Sequence, residues 1–231
     1  MEKKKCKLRD ENSSFRMGLE LKIPVQSRSR DRVELILKTA KNLIGERGID
    51  AVSMREIANT AGIQIGSLYQ YFPGKSALLL TIMNQYYDSL YDETKRILEP
   101  VRTIEELEVA AEKAFKQFVS IFQKDPALAN LWAGARAIPE LVTEDNRDTF
   151  RSADLIVKTT VRCLPNLKET EVRPFALYFS HTVGMILRFV QEIDAENGKS
   201  VLKEALEILK LKLKEFEKMA KLKSKKKSTL S

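Results

Sequence analysis

Apolar residues recur at helical spacing through most of this chain, and that periodicity predicts an all-α fold. From Arg32 onward, Val33, Ile36, Leu37 and Ala40 follow one face of a helix. No six-residue stretch alternates between apolar and polar residues in the manner of a β-strand bounded by turns. The chain has only 9 glycines, and its 7 prolines punctuate long helical patterns, since proline is tolerated mainly in the first turn of a helix. We therefore predict about nine helices and no sheet.

The glycine and proline positions give each predicted helix an approximate range. The first helix begins at Arg32 and stops at Gly45–Gly48, and two short helices follow it. A long helix begins after Pro73-Gly74, and the next opens after Pro100. In chain order the later predicted helices span about 53–60, 64–72, 75–98, 101–122, 127–137, 144–164, 169–192 and 198–221.

Composition excludes several classes of protein. Apolar residues make up 43% of the chain and charged residues 31%, so neither a disordered nor a membrane protein is expected. The single histidine, His181, and the lone cysteines Cys6 and Cys163 cannot supply a histidine-rich metal cluster or a disulfide scaffold. No nucleophile–base pair and no glycine-rich loop after a strand stands out. We expect a cytoplasmic protein that is not an enzyme and needs no cofactor or metal.

The net charge of +8 is concentrated at the two ends of the chain. Residues 1–32 carry +5 and residues 218–231 carry +6, which leaves the middle slightly acidic. Lysine runs of this kind form either solvated tails or arms that bind a polyanion. We predict that residues 1–27 form a basic, disordered extension and that residues 221–231 form a lysine-rich tail.

Residues 53–72 have the pattern of a helix-turn-helix. Ser53-Met-Arg-Glu56 has the spacing of a capping box, which starts a short helix. Gly62 follows at the turn and is free to adopt a positive φ. Leu68 can then pack the second short helix against the first. This arrangement presents the second helix to the DNA major groove, although an ordinary helical corner has the same spacing.

The residues of this region resemble the TetR (tetracycline-repressor-like) family over about positions 32–79. The resemblance lies in Ser53-Met-Arg-Glu-Ile-Ala, Ala61-Gly-Ile63, Gly66-Ser-Leu-Tyr-Gln-Tyr-Phe72 and Lys75. It implies a DNA-binding domain at 28–79 and a helical effector-binding and dimerisation domain at 80–220. The implied function is a ligand-responsive repressor, acting as a homodimer on a palindromic operator in double-stranded DNA. The alternative is a helical binding or adaptor protein without sequence-specific DNA binding.

The resemblance also implies which residues contact DNA. Arg55 would contact a base, since arginine can bind guanine O6 and N7 together, and Lys75 would contact a phosphate. Residues 33–75 carry a net charge of only +1. We therefore expect a basic arm just before the first helix to enter the minor groove or contact phosphates. The predicted contacts are Ser53, Arg55, Gln64, Ile65, Gly66, Ser67, Tyr69, Tyr71 and Lys75, with Arg28 and Arg30 on the arm.

The larger domain is expected to hold a pocket for a small-molecule effector and a dimer interface. The predicted pocket residues are Phe115, Phe118, Phe122, Trp132, Arg136 and Ile156, with Val119, Asp154, Phe179 and His181 as further candidates. The last two helices carry wide apolar stripes, which favour a four-helix bundle between two subunits. Packing within one subunit is the alternative. The predicted interface residues are Phe175, Phe179, Val183, Leu202, Leu206, Leu209 and Leu213.

Overall fold

A computed structural model describes residues 27–228, which form nine α-helices without a strand and so confirm the all-α prediction. No helix in this range is both long and apolar enough to cross a membrane. The helices are α1 (Ser27–Arg47), α2 (Met54–Thr60), α3 (Ile65–Tyr71), α4 (Lys75–Leu98), α5 (Ile104–Lys124), α6 (Pro126–Ala135), α7 (Pro139–Cys163), α8 (Glu169–Glu192) and α9 (Ala195–Ser228).

Helices α1, α2 and α3 form the predicted three-helix unit around a shared apolar core. Ile36 on α1, Ile57 on α2 and Leu68 on α3 are fully buried together. The turns between the helices depend on glycine, since Gly48 has φ 76° and Gly62 has φ 66°, a region that other residues rarely adopt. These turns set the crossing of α2 and α3 and leave one face of α3 exposed.

The start of α2 contains half of the predicted capping box. The backbone N–H of Glu56 donates to the Ser53 hydroxyl at 3.2 Å, which satisfies one of the free donors of the first turn. The Glu56 carboxylate does not return to the cap. It pairs instead with the Arg47 guanidinium at the end of α1, at 2.7 Å. The capping-box prediction is therefore wrong for Glu56, because a tertiary partner competes for its carboxylate.

Ser53→Ala is expected to lower the free energy of unfolding by about 1 kcal/mol, because it leaves the Glu56 amide without its partner. Urea denaturation followed by circular dichroism measures this loss. Ser89→Ala, on the exposed surface of α4, is the matched control and should change stability by less than about 0.5 kcal/mol. Equal effects at the two serines would contradict a capping role for Ser53.

Helix α4 joins two apolar cores. The first core combines the α1–α3 unit with the N-terminal half of α4 and with α6, and the second lies among α5, α7, α8 and α9. Helix α6 packs against α1. The Asn130 side-chain amide on α6 donates to the carbonyl oxygens of Ile44 and Gly45 at 2.9 and 3.1 Å. The α1–α3 unit is thus attached through both α4 and α6.

Three helices extend beyond their predicted ends. Helix α1 begins at Ser27 rather than at Arg32, and the Ser29 hydroxyl ties its first turn to α3 by donating to the Tyr71 hydroxyl at 3.2 Å. Helix α7 begins at Pro139 rather than near 144, since the fixed φ of proline suits a first helical turn. Helix α9 begins at Ala195, where the Asp194 carboxylate accepts the first-turn N–H groups.

The lysine-rich tail is helical over 221–228, beyond the predicted end of the last helix near Lys221. Helix α9 continues to Ser228, and pairing of Lys221 with Glu217 and of Lys223 with Glu171 on α8 supports this end. The tail lies beside the start of α8, at the end of the bundle remote from α3. Residues 229–231 and the N-terminal extension over 1–26 lie outside the described residues.

Candidate DNA-binding surface and ligand cavity

Helix α3 presents most of the predicted DNA-contacting residues to the outside. Leu68 faces the core and is fully buried, whereas Ile65 and Tyr69 are exposed. Gly66 is exposed too, and a Cβ added there would meet no atom within 4 Å. A second molecule can therefore approach the α3 backbone closely at this point. The exposed or half-buried residues of this face are Gln64, Ile65, Gly66, Ser67, Tyr69 and Gln70.

Cationic side chains around α3 have no partner among residues 27–228. Arg55, in the first turn of α2, is exposed, and Lys75 is the first residue of α4. No ion pair or hydrogen bond engages either side chain within the described range. Anions are favoured near a helix N-terminus, so Lys75 and the start of α4 both suit a phosphate. The α3 face therefore combines exposed polar groups with unpaired positive charge.

The predicted N-terminal arm is a helix in the part that the structure describes. Arg28 and Arg30 are exposed on the first turns of α1, so they do not belong to an extended segment before the first helix. The hydrogen bond between Ser29 and Tyr71 keeps these turns beside the C-terminal end of α3. The two arginines therefore extend the cationic surface beside α3 from α1 itself, rather than from an arm before the first helix.

Two predicted contacts also have structural roles. The Ser53 hydroxyl caps α2, and the half-buried Tyr71 hydroxyl accepts the hydrogen bond from Ser29. These groups hold α1, α2 and α3 in their arrangement whether or not they contact DNA.

A cavity of about 160 Å³ lies in the larger domain among α4, α5, α7, α8 and α9, and Trp132 of α6 contributes to its wall. Its walls are mainly aromatic and aliphatic, with ring pairs such as Phe115–Phe179 at 6.3 Å and Phe118–Trp132 at 5.9 Å between centroids. An apolar cavity with a few polar groups is the usual form of a small-molecule site. The predicted residues that line it are Phe115, Phe118, Trp132, Ile156, Phe179 and His181.

The other predicted pocket residues lie outside the lining. Phe122 is buried in the first core, where its ring lies 5.2 Å from that of Trp132. Arg136 is exposed at the C-terminal end of α6. Val119 is half-buried and packs against the cores, and Asp154 pairs with Arg173 at 2.7 Å. These four residues were predicted to line the pocket because of their residue type. The orientation of their helices directs their side chains away from the cavity.

The cavity also contains polar residues that the sequence analysis missed. The Tyr87 hydroxyl donates to Asp145 Oδ1 at 2.6 Å and accepts from Trp132 Nε1 at 2.9 Å. Burial, with the nearby Asp145 carboxylate, raises the pKa of Tyr87, so the hydroxyl stays protonated as a donor. Burial also raises the pKa of Asp148 to about 6, against the opposing charge of Arg151. Their spacing in the sequence could have indicated these residues, because Asp145, Asp148, Ser152 and Ile156 fall on one face of α7.

The apolar stripes predicted for the dimer face largely inward. Val183, Leu209 and Leu213 are buried within the chain and line the cavity, as do the half-buried Phe175 and Phe179. Leu202 and Leu206 are half-buried against the cores. The stripes thus follow the alternative of packing within the subunit. A different set is exposed on α8 and α9, comprising Tyr178, Met185, Phe189, Ile208, Leu211 and Leu222.

The fold and the motif define the class of protein: a helix-turn-helix unit joined by a long helix to a helical domain with a cavity. The model of the family "Bacterial regulatory proteins, tetR family" matches residues 36–82, which cover this unit. The helix-turn-helix unit of this chain is therefore similar to that of the TetR family.

Sequence similarity to individual relatives covers about a third of the chain or less. The chain is 40% identical over 62 residues to the HTH-type transcriptional regulator YuxN of Bacillus subtilis, covering 27% of this chain and 21% of that protein. It is 32% identical over 73 residues to the HTH-type transcriptional repressor KstR2 of Mycolicibacterium smegmatis, covering 32% of this chain and 36% of that protein. The matches thus span about a fifth and a third of the relatives' lengths.

Similarity of fold extends through the larger domain. A TetR-family transcriptional regulator from Streptomyces coelicolor superposes with a TM-score of 0.62 at 18% identity, over 80% of this chain and 99% of that one. At this identity the likeness concerns the fold. The residues of the cavity and of the exposed α8–α9 face therefore have to be interpreted from this chain itself.

Proposed function

We propose that the protein is a ligand-responsive transcriptional repressor that binds a palindromic operator as a homodimer in the cytoplasm. The exposed α3 face, beside which Arg55 and Lys75 have no partner among residues 27–228, carries this proposal. The repressor role is supported by the similarity to KstR2, a protein described as a transcriptional repressor. We assign base contacts to Arg55 and the N-terminal turn of α3. Phosphate contacts are assigned to Lys75, with Arg28 and Arg30 contributing from α1.

The proposed dimer uses the exposed apolar side chains of α8 and α9. Tyr178, Met185 and Phe189 are spaced by seven and four residues, which places them on one face of α8. Ile208 and Leu211 are exposed on α9, which packs beside α8. Two such helix pairs can form an intersubunit four-helix bundle. The two-fold symmetry of this bundle would place the two recognition helices, α3 of each subunit, about one DNA turn apart. This separation matches that of the two half-sites in a palindrome.

Ligand control is proposed to act on the separation of the two recognition helices. The cavity is lined by α4 and by Trp132 of α6, and both helices contact the α1–α3 unit. A ligand can shift the separation only by binding one arrangement more tightly than the other. The packing of α6 against α1, with the Asn130 hydrogen bonds to Ile44 and Gly45, supports a route through α6 as well as a tilt of α4.

Binding to DNA from the region upstream of its own gene tests the proposed function. Fluorescence anisotropy at two salt concentrations should show tighter binding to that DNA than to a random duplex of the same length. Affinity should fall as salt rises, because phosphate contacts release counterions. Equal, weak binding to both duplexes would instead favour the adaptor function.

Arg55→Ala is expected to weaken binding to the operator by about 1–3 kcal/mol and to relax base preference at one position in each half-site. Lys75→Ala should weaken binding to all DNA sequences alike. It should also reduce the slope of log affinity against log salt concentration by about one unit. Anisotropy titrations with operator and random DNA separate the two effects, and Lys158→Ala, on the exposed surface of α7, is the control. The same change in both variants on both DNAs would refute the assignment of base and phosphate contacts.

A further inference from the structure

The cavity has a polar end and an apolar end. Helices α7 and α8 are joined by a short connection and pack against each other, so they run antiparallel. The start of α7, with Asp145 and Asp148, therefore lies at the same end as Arg188 near the end of α8. The opposite end is apolar and includes Leu98, Phe175, Leu213 and Phe216. A ligand that fits both ends is an elongated amphiphile.

The acidic groups at the polar end already have partners. Asp145 accepts the hydrogen bond from the Tyr87 hydroxyl at 2.6 Å. Asp148 Oδ1 lies 3.1 Å from Arg151 Nη2, although the geometry leaves this oxygen without a hydrogen bond in the described part of the chain. Arg151 also donates to Asp88 at 2.7 Å. The carboxylates thus belong to a network of protein contacts.

The arginine at this end has no such partner. Arg188 lines the cavity and is half-buried, and its guanidinium makes no ion pair or hydrogen bond with residues 27–228. Arg136, exposed at the end of α6, is also unpaired within those residues. Burial lowers the pKa of Arg188, the charge of Arg136 lowers it further, and Asp145 opposes both effects. A desolvated cation next to a second cation is stabilised by an anion.

A further unsatisfied group lies two helical turns before Arg188. The Ser180 hydroxyl lines the cavity, is buried, and has no hydrogen-bond partner in the described range. A buried hydroxyl without a partner is unfavourable. A ligand oxygen would satisfy this hydroxyl, and an arginine guanidinium suits a carboxylate.

We propose that the cavity binds a monoanionic amphiphile, a carboxylate on a long apolar chain, whose head group is held by Arg188. The aromatic end accepts the chain, and the head group lies next to Trp132 on α6. The role of this ligand as the effector rests on the repressor function proposed above. The binding itself does not depend on that function.

Head-group selectivity of the wild-type protein tests the proposal directly. The chain has one tryptophan, Trp132, and it lines the cavity, so its emission reports on occupancy. Dodecanoate, dodecanol and dodecyltrimethylammonium share a twelve-carbon chain and are titrated below their micelle concentrations. The affinity for dodecanoate should be about ten times that for the other two compounds, or higher. Tighter binding of the ammonium would overturn the proposal and assign the polar end to Asp145 and Asp148.

Arg188→Gln removes the charge and keeps a hydrogen-bonding side chain. The substitution should lower the affinity for dodecanoate about tenfold or more and leave the affinity for dodecanol unchanged. Arg147→Gln is the matched control, because Arg147 lies on α7, outside the lining, and pairs with Glu144 at 3.4 Å. Thermal melting shows whether each variant folds, and the head-group comparison does not need a variant. Unchanged dodecanoate affinity in folded Arg188→Gln would overturn the proposal.

The two proposals can fail separately. Ligand titrations are made without DNA, and operator binding is measured by anisotropy without ligand. Selective dodecanoate binding supports the cavity proposal even where the protein fails to bind its operator, which would refute the repressor function. Operator binding together with no saturable change in Trp132 emission on adding dodecanoate overturns the cavity proposal and leaves the repressor function intact.

Discussion

Replacing Phe189 with glutamate is expected to convert the protein to a monomer and to weaken its binding to a palindromic operator about a hundredfold or more. Phe189 is 50% exposed in the single chain and lies on the same face of α8 as Tyr178 and Met185. In the proposed bundle the new carboxylate would be buried against the partner subunit without a counter-charge, which costs several kcal/mol. Loss of the dimer removes the gain from binding two half-sites at once.

Analytical ultracentrifugation and operator titrations measure the two consequences of this change. Val109→Glu is the matched control, because Val109 is an apolar residue that is 72% exposed and belongs to α5 rather than to α8 or α9. It should leave both the dimer and operator affinity unchanged. A monomeric Phe189→Glu that binds the palindrome with full affinity would refute the requirement for a dimer. A dimeric Phe189→Glu would place the interface elsewhere.

The helix-turn-helix could be predicted from sequence because its determinants are local. Ser53 starts α2 through its own hydroxyl, and Gly62 makes the turn through its own backbone freedom. Leu68 is recognisable as core because it lies on the apolar side of a short helix. The partner of Glu56 could not be predicted, because Arg47 approaches it from α1 through the tertiary fold.

In the larger domain, apolar periodicity identifies the buried face of a helix but not what that face packs against. The spacing of Leu209 and Leu213 identifies an apolar face of α9, but spacing does not say whether that face meets the same chain or a partner. The fold answers this by placing both residues against the cavity. The polar end of the cavity was also hidden, because Asp145 and Arg188 are far apart in sequence and meet only when α7 and α8 pack antiparallel.

Gly134→Ala is expected to loosen the attachment of the DNA-binding unit and to weaken palindrome binding about tenfold, while leaving affinity for a single half-site unchanged. A Cβ at Gly134 would overlap Cγ1 and Cδ1 of Ile49, which is buried directly after α1. Overpacking at a buried contact costs about 1–3 kcal/mol, and moving α6 away from α1 relieves it. Helix α4 would remain the other attachment of the unit.

Operators with one base pair added or removed between the half-sites distinguish this effect from a loss of DNA contacts. Wild-type protein should discriminate strongly among spacings, and Gly134→Ala should discriminate less, because its recognition helices are held less rigidly. Gly184→Ala is the matched control, since a Cβ there lies 3.9 Å from Trp132 Cζ3, an ordinary contact distance. Unchanged spacing preference in Gly134→Ala would mean that α4 alone sets the separation. Reduced preference would instead identify the α1–α6 contact as part of the connection between the cavity and DNA, since Trp132 lies on the same helix.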